Sequence, residues 1–545
     1  MEAINRRSFL TGTAAAGLGV AAMGLGVSAA YADEAAEEEA AEEEAAEEEA
    51  AEEAEEEATE ESTTYEPSEV VECDLCVVGA GISGMGACIE AVDQGLSVVL
   101  LEKETAVGGT LPGTEGLFGL NSQLQIEQGT ELPTVPEIVK EELEYTNYRT
   151  DPLLWNEVIS NSGDDIDWLS NLGINFETVD NYLDQSAYNT FHWWEGENGT
   201  ATVETMGNAI TEAGVDVRVS TPAVDLKIED GAVTGVYAED ADGNIIEVDA
   251  KAVLLATGGM ANDIELTAEK TGLKLDTAQS LYPINEVGDG LNMAISAGAK
   301  ETSVSIQNVW SVEGFASDDP ITVGGCTQPV LLYVNEEGER YLNETLCKEK
   351  FYALLTNALL TQKQGYCIIN QALVDQMETE GCIIGIAQVK AGDLLEGFND
   401  ELEEAVAAEN PTVWKGETIE ELAENMGIDP DTLSATLSRY NEMCANGEDE
   451  DFGKDPEYLV AMEEGPYYAI TPVVCIFQTM GGIGVNRDMQ VVDDDDEPIA
   501  GLYSSGMASC GLYKETYCYQ VSGGSNCYCL YTGRKAAQTI AASLA

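Results

Sequence analysis

The segment 75–103, LCVVGAGISGMGACIEAVDQGLSVVLLEK, constrains this chain more than any other stretch of it. An apolar, β-branched run ends in Gly79-x-Gly81-x-x-Gly84, a helical stretch of small residues follows, and a second apolar run closes on Glu102. That order reads as strand, tight turn, helix and parallel strand. Gly79 permits the turn, and Gly81 lets backbone N–H groups approach a pyrophosphate. Gly84 lets the helix lie close to the sheet with its positive end toward the phosphates. Glu102 stands 18 residues beyond Gly84, where a carboxylate at a strand end accepts hydrogen bonds from a ribose diol. The pattern predicts a bound dinucleotide, with Ser83 in the turn and Lys103 beyond the acid as further contacts.

More glycine turns follow in a fixed order. Gly108-Gly109-Thr110 lies in the loop after the second strand, with Gly116 close behind. Residues 215–250 read as short alternating strands, Val224 among them, with turns at Asp230-Gly231 and Asp242-Gly243. An apolar strand then runs into Thr257-Gly258-Gly259, and GDGLNMAISAGA (288–299) brings Asp289. Near the C-terminus Gly506 precedes Ser522-Gly523-Gly524 and a final helical stretch. With DWLSNLGINF (167–176), NEEGERYLNE (335–344), LSRYNEMCANGEDEDFGK (437–454), PYYA (466–469) and TMGGIGVN (479–486), residues 70–545 resemble the flavoprotein subunits of the fumarate reductase/succinate dehydrogenase superfamily. The resemblance is to the branch of flavocytochrome c, urocanate reductase and ketosteroid dehydrogenase, with the enone and acrylate reductases of anaerobic gut bacteria. It implies FAD, held without a covalent link, rather than NAD. It also implies an α/β fold with an α+β cap: a Rossmann-like FAD-binding domain from 70–304 and 476–545, with a capping domain, 305–475, inserted between its parts.

The N-terminus lies outside that fold. Asn5-Arg6-Arg7-Ser8-Phe9-Leu10, followed by an Ala/Gly-rich stretch over 13–29, reads as a twin-arginine signal occupying 1–32, cut after Ala30-Tyr31-Ala32. The apolar run is too short and too Gly-rich for a membrane span. Residues 33–69 form an acidic Ala/Glu-rich linker, whose dense like charge leaves nothing to pack. The expected product is exported by the Tat machinery to the extracytoplasmic or periplasmic side. A net charge of −79 argues against nucleic acid and anionic lipid as partners, and would attract a basic redox protein.

The chain has 13 cysteines, an odd number. Cys73 and Cys76 on the first strand, Cys88 on the helix and Cys382 in CIIGIA read as buried small hydrophobes, and Cys518, Cys527 and Cys529 cluster near the presumed flavin site. An iron–sulfur cluster at Cys73-x-x-Cys76 is disfavoured, because cluster ligands sit in loops with further partners nearby. No metal site is expected. No CxxCH is present, so electrons must come from another protein, a multihaem cytochrome or a membrane quinol dehydrogenase.

At the substrate site the family pattern breaks. Dicarboxylate reductases hold fumarate with a His in a QAHPT segment, a His before TMGG and an Arg before the C-terminal Gly pair. Here those places fall near Gln307-Asn308-Val309, Phe477-Gln478 and Gln520, and none is cationic. Their proton path, a Thr-Glu pair and an Arg, corresponds to Val323-Gly324 and Thr327. The one histidine, His192, lies in HWWEGENG, where a substrate or structural role is favoured over catalysis. Fumarate is therefore a poor substrate. Counting from Asn343-Glu344, Lys348 stands where those reductases carry their proton-donating Arg. It is either that acid, its pKa lowered by desolvation or positive neighbours, or a surface lysine. Tyr519, then Tyr517, precede the Gly pair where ketosteroid dehydrogenases and enone reductases have a Tyr. Met507 replaces a Glu that often binds the ribityl chain.

These residues imply a reductase that saturates an activated C=C bond of an unsaturated acid, ketone or lactone. Hydride would come from the flavin N5 and a proton from Lys348 or a tyrosine, in a terminal reductase of anaerobic respiration. The missing clamp, with Trp310 and Phe315, favours an uncharged or aromatic acceptor. Two rivals stand beside it: a ketosteroid-type dehydrogenase running oxidatively, and a non-catalytic flavin electron carrier.

Overall fold

The largest sheet is built from three distant parts of the chain. β1 (Glu69–Val78), β2 (Val98–Leu101), β6 (Asp216–Arg218), β9 (Ile245–Leu255), β17 (Gln490–Val492) and β18 (Pro498–Ser504) run in the order β17-β18-β9-β1-β2-β6. β1 pairs in parallel with both neighbours, Val77 facing Leu100 on one side and Leu254 on the other. Its residues 75–78 are buried, as a central parallel strand covered on both faces must be. The expected meander is present: β7 (Ala223–Glu229) and β8 (Ala232–Glu239) form a hairpin against β9. Asp230 and Gly231 at its turn both take positive φ, as a right-twisting two-residue hairpin requires.

This computed structural model describes residues 64–545 except 183–185, 274–277, 282–283, 313–319, 350, 386–388, 515–516 and 518–520. The twin-arginine segment, nearly all of the acidic linker, Phe315, Cys518, Tyr519 and Gln520 lie outside the described residues, and of Trp310 only the backbone is described. Within them Glu66–Ala545 makes one compact unit. No described helix is long and apolar enough to cross a membrane.

Two helices frame the Gly79–Gly84 motif. α1 (Ile82–Asp93) follows β1 directly, and α5 (Gly524–Leu544) packs along it and against α2 (Pro152–Asn171). A Cβ on Gly533 would stand 2.1 Å from the Ser83 carbonyl oxygen, so the two helices meet backbone to backbone. A small sheet of β3 (Gly116–Phe118), β5 (Phe191–Trp194) and β4 (Phe176–Asp180) abuts the start of α5. Beyond it, β10 (Ala278–Ser280), β16 (Pro472–Ile483) and β11 (Glu301–Val312) form a second three-stranded sheet.

A separate four-stranded sheet, β12 (Leu332–Asn335), β13 (Gly365–Asn370), β15 (Tyr467–Ile470) and β14 (Val413–Gly416), is surrounded by helices and lies wholly within the chain between β11 and β16. Rossmann-like sheet plus α+β insertion is the fold class the sequence implies. A closed polar network ties this insertion together. The Arg340 guanidinium, 5 % exposed, donates to Glu344 at 2.6 Å and to Asp449 at 2.8 Å, and Lys454 donates to the Leu331 carbonyl and the Tyr440 hydroxyl, each at 2.8 Å. Burial alone would raise the Asp449 acid, yet Arg340 and the Lys454 N–H hold it below its ordinary range. Glu344 belongs to the Asn343-Glu344 pair, so the network fixes the entry to α4 (Leu346–Glu349), which carries Lys348.

All twelve cysteines within the described residues are free thiols, ten of them buried. Burial pushes Cys73 up to about 12 and Cys76 well above its usual value, as for small hydrophobes packed in a strand.

Candidate active site

The cleft begins where β1 turns into α1. Gly79 adopts φ +101, and a Cβ there would stand 2.4 Å from the Ala256 carbonyl oxygen at the end of β9. Only glycine allows that approach. Gly81 caps α1 with extended backbone, and the first turn has no acidic residue to occupy the helix's positive end. Gly109 from the second glycine turn comes within 3.3 Å of the Gly81 Cα at its own Cβ position, so the two turns converge. Together they bound a cleft of about 940 Å³, including the part open to solvent.

Its walls bring together most of the expected residues. Gly79, Gly81 and Ser83 line it with Glu102 and Lys103; Gly109, Thr110, Thr257, Gly258, Asp289 and Gly506 complete the set. Glu102, 8 % exposed, is oriented by two backbone donors, the Ala80 N–H at 2.7 Å and the Glu104 N–H at 2.8 Å. Its lone-pair capacity is not exhausted by two donors, so it can still accept from a ribose. Lys103 donates to Asp289, the first residue of α3 (Asp289–Ser296), at 2.5 Å. Ser83 and Ser505 share a hydrogen bond of 2.7 Å across the floor.

Other expected residues support the cleft rather than line it. Gly84, Gly108, Gly116, Gly259 and Gly524 sit where an added Cβ would meet a neighbour at 1.9 to 3.0 Å. Ser522 is buried. Val224 turns its side chain to solvent, and Pro222 and Ala223 beside it line the cleft, as strand alternation dictates. Gly523 caps α5 at φ +75 with its Cβ position 2.6 Å from the Leu117 backbone, which seats the helix start on β3.

FAD fits this site on an independent ground. Thr257 Oγ1 and Glu286 Oε2 are shut off from solvent with no partner among the described residues, and both residues line the cleft. Each orphaned polar atom costs about 1–3 kcal/mol unless something bonds it. A polyhydroxylated, phosphorylated ligand would satisfy them. Glu286 had no signal in the sequence: one more acid in an acidic chain follows no pattern.

The floor passes into the β11–β16 sheet, where Gln478 lines the cleft. Gln478 faces Gln307 in register, and their side-chain amides are hydrogen-bonded. The next pair is Asn308 with Ile476, so Phe477 is bulged out of the ladder. A bulge thus falls at the position where dicarboxylate reductases carry a substrate-binding His. Among the described lining residues Lys103 is the one cation, and Asp289 neutralises it.

The structure separates the proton-donor candidates. Tyr517 is buried, its ring centroid 4.7 Å from that of Tyr513, and its hydroxyl faces the start of α5, 3.4 Å from the Ser525 N–H. Lys348 is half-exposed on α4 and does not line the nucleotide cleft. Its ammonium donates to the Tyr458 hydroxyl and lies 3.7 Å from Glu457. The Tyr458 hydrogen bond raises its pKa, the opposite of the lowering that would ease proton release. His192 is fully buried among the aromatics of the small sheet, Nε2 bonded to Ser122 Oγ at 2.8 Å and Nδ1 facing the Thr190 carbonyl at 3.2 Å. Burial brings it down to about 4, so it is a neutral core residue.

A family model described as an FAD binding domain matches residues 74–524. The chain is 35 % identical over 477 residues to the vinyl phenol reductase of Lactiplantibacillus plantarum, covering 85 % of this chain and 94 % of that protein. It is 28 % identical over 443 residues to the urocanate reductase of Eggerthella lenta, covering 79 % and 69 %. The open conformation of a flavocytochrome c3 fumarate reductase shares the fold, with a TM-score of 0.64 at 24 % identity over 87 % of this chain and 79 % of that one. The glycine cradle, the oriented Glu102 and the family match coincide over the same residues: the chain belongs to the FAD-binding-domain family and is an FAD-dependent oxidoreductase.

Proposed function

We propose that this protein is an exported reductase that saturates a conjugated C=C bond in an uncharged or aromatic molecule, as a terminal step of anaerobic respiration. The carrying observation is the neutral Gln307–Gln478 pair at the floor of a cleft whose only cation among the described lining residues is spent on Asp289. A carboxylate substrate entering a protein of net charge −79 needs a positive clamp, whereas an enone, a lactone or a vinyl phenol needs only hydrogen bonds. The relative at 35 % identity is named for such a neutral, conjugated aromatic alkene.

Bound FAD supplies two electrons as a hydride, and the protein must add a proton at the neighbouring carbon. Tyr517, whose hydroxyl faces the start of α5, is one donor, and Tyr519, outside the described residues, is the other that the sequence offers. Lys348 lies off the nucleotide cleft and is held protonated by Tyr458, which favours a tyrosine over it as the donor. The insertion closes over the substrate and excludes water from the transfer. Arg6-Arg7 marks the chain for export with its cofactor loaded, and the acidic surface draws a basic electron donor, a multihaem cytochrome or a quinol dehydrogenase.

The test is reoxidation of the dithionite-reduced protein by a panel of vinyl phenols, enones, lactones, fumarate and acrylate, with product analysis. Neutral conjugated alkenes should reoxidise the reduced flavin, restoring its yellow absorbance, and appear as saturated products. Silence across the panel, or fumarate as the best oxidant, overturns the reading.

A further inference from the structure

Glu286 has no place in the chemistry above, yet it occupies the cleft wall. Its carboxyl is buried although part of the residue is exposed. The Cβ position of Gly258 lies 2.3 Å from Glu286 Oε1, and the Gly259 N–H donates to the carboxyl. Oε2 has no partner among the described residues. The backbone around it is pinned: the Glu286 N–H donates to Asn262 Oδ1 at 3.1 Å, and the Asn262 N–H donates back to the Glu286 carbonyl at 2.9 Å. These bonds fix the backbone from which the carboxyl reaches the wall. Thr257 Oγ1, the other orphan, lies one residue before the glycine against which Glu286 packs. Met507 also lines the cleft, and its side chain offers a ligand no more than a thioether.

Resting on the FAD assignment, we infer that Glu286 is a cofactor-positioning residue whose Oε2 hydrogen-bonds a hydroxyl of the bound dinucleotide. The ligand class is a sugar or sugar-alcohol hydroxyl, because such a group both donates and accepts. It suits the carboxyl in either protonation state. Burial pushes this acid up to about 7, against the pull of the Gly259 N–H and Lys103, so both states are open to it at neutral pH. A phosphate would bring negative charge to the carboxyl and is disfavoured there. Glutamine preserves the arrangement: its carbonyl takes the Gly259 N–H, and its amide reaches the hydroxyl.

The experiment titrates flavin-depleted protein with FAD and, separately, with ADP, which has the adenosine ribose but not the ribityl chain. Wild type, Glu286→Gln, Glu286→Ala and Glu286→Leu are compared by fluorescence, with thermal unfolding of each apoprotein as the folding control. Glu286→Ala and Glu286→Leu should weaken FAD by roughly tenfold, and Glu286→Gln should restore most of the loss. Weakening of FAD alone puts the contact on the ribityl half, and equal weakening of ADP puts it on the adenosine ribose. FAD affinity unchanged in whichever of Glu286→Ala and Glu286→Leu folds, or lost equally in Glu286→Gln, overturns the inference. Wild-type protein that takes up no FAD instead overturns the FAD assignment itself.

Discussion

The two ends of the cleft are made of different material. At the Gly79–Gly84 end the surface offered to a ligand is main chain, with the Cβ positions of Gly79 and Gly84 blocked by backbone at 2.4 and 1.9 Å and Glu102 fixed by two N–H donors. At the Gln307–Gln478 end it is side chain, two neutral amides on facing strands beside a bulge. Main-chain surfaces tolerate almost no substitution but recognise only what every dinucleotide shares. Side-chain surfaces change by one codon, and with them the substrate. Cofactor choice is thus locked into the fold, and substrate choice is not.

The first way to break this contrast is Gly79→Val. A β-branched residue at φ +101, meeting a carbonyl at 2.4 Å, should cost roughly tenfold or more in bound flavin, read as the flavin-to-protein absorbance ratio. Near-normal flavin content would show that the main-chain end is more forgiving than described.

A second concerns His192, a neutral core residue of the small β3–β5–β4 sheet and not a proton source. Its folded-state value of about 4 lies below the ordinary 6.5, so below pH 6.5 the unfolded chain binds a proton that the native state refuses. Stability contributed by this group falls as pH drops from 6.5 toward 4, by roughly 2 kcal/mol between pH 6.5 and 5. His192→Asn should lose that part of the slope in chemical denaturation and keep the pH profile of turnover. An altered turnover profile with an unchanged stability slope would move His192 into the chemistry.

The smallest effect sharpens the other end. Gln478→His adds a group that can carry positive charge, and should lower KM for an unsaturated carboxylate relative to a neutral alkene by roughly tenfold at slightly acid pH. Flavin content should not change. No shift in that ratio would show that Gln478 does not face the substrate.

What the sequence made legible follows the same division. Asp289 is legible through the resemblance that GDGLNMAISAGA carries, and the glycines and Glu102 because backbone geometry demands particular residues at fixed spacings. The hairpin at Asp230-Gly231 was legible for that reason too. The neutral floor was legible only as a loss: Gln307 and Gln478 could be placed near it, but their mutual hydrogen bond across the β11–β16 ladder could not. Lys348 was found by counting from Asn343-Glu344, whereas its partner Tyr458 is 110 residues on and belongs to no motif. Glu286 was invisible because its importance comes from Gly258, Gly259 and the closing of the cleft, none of which leaves a mark at position 286.

The bond between Ser83 and Ser505 spans 422 positions, and α5, which meets Ser83 through Gly533, lies further along the chain than either. A nascent chain therefore cannot close its nucleotide pocket until α5 has been synthesised. The pocket is complete only once these distant parts have docked, however early β1, α1 and β2 take shape.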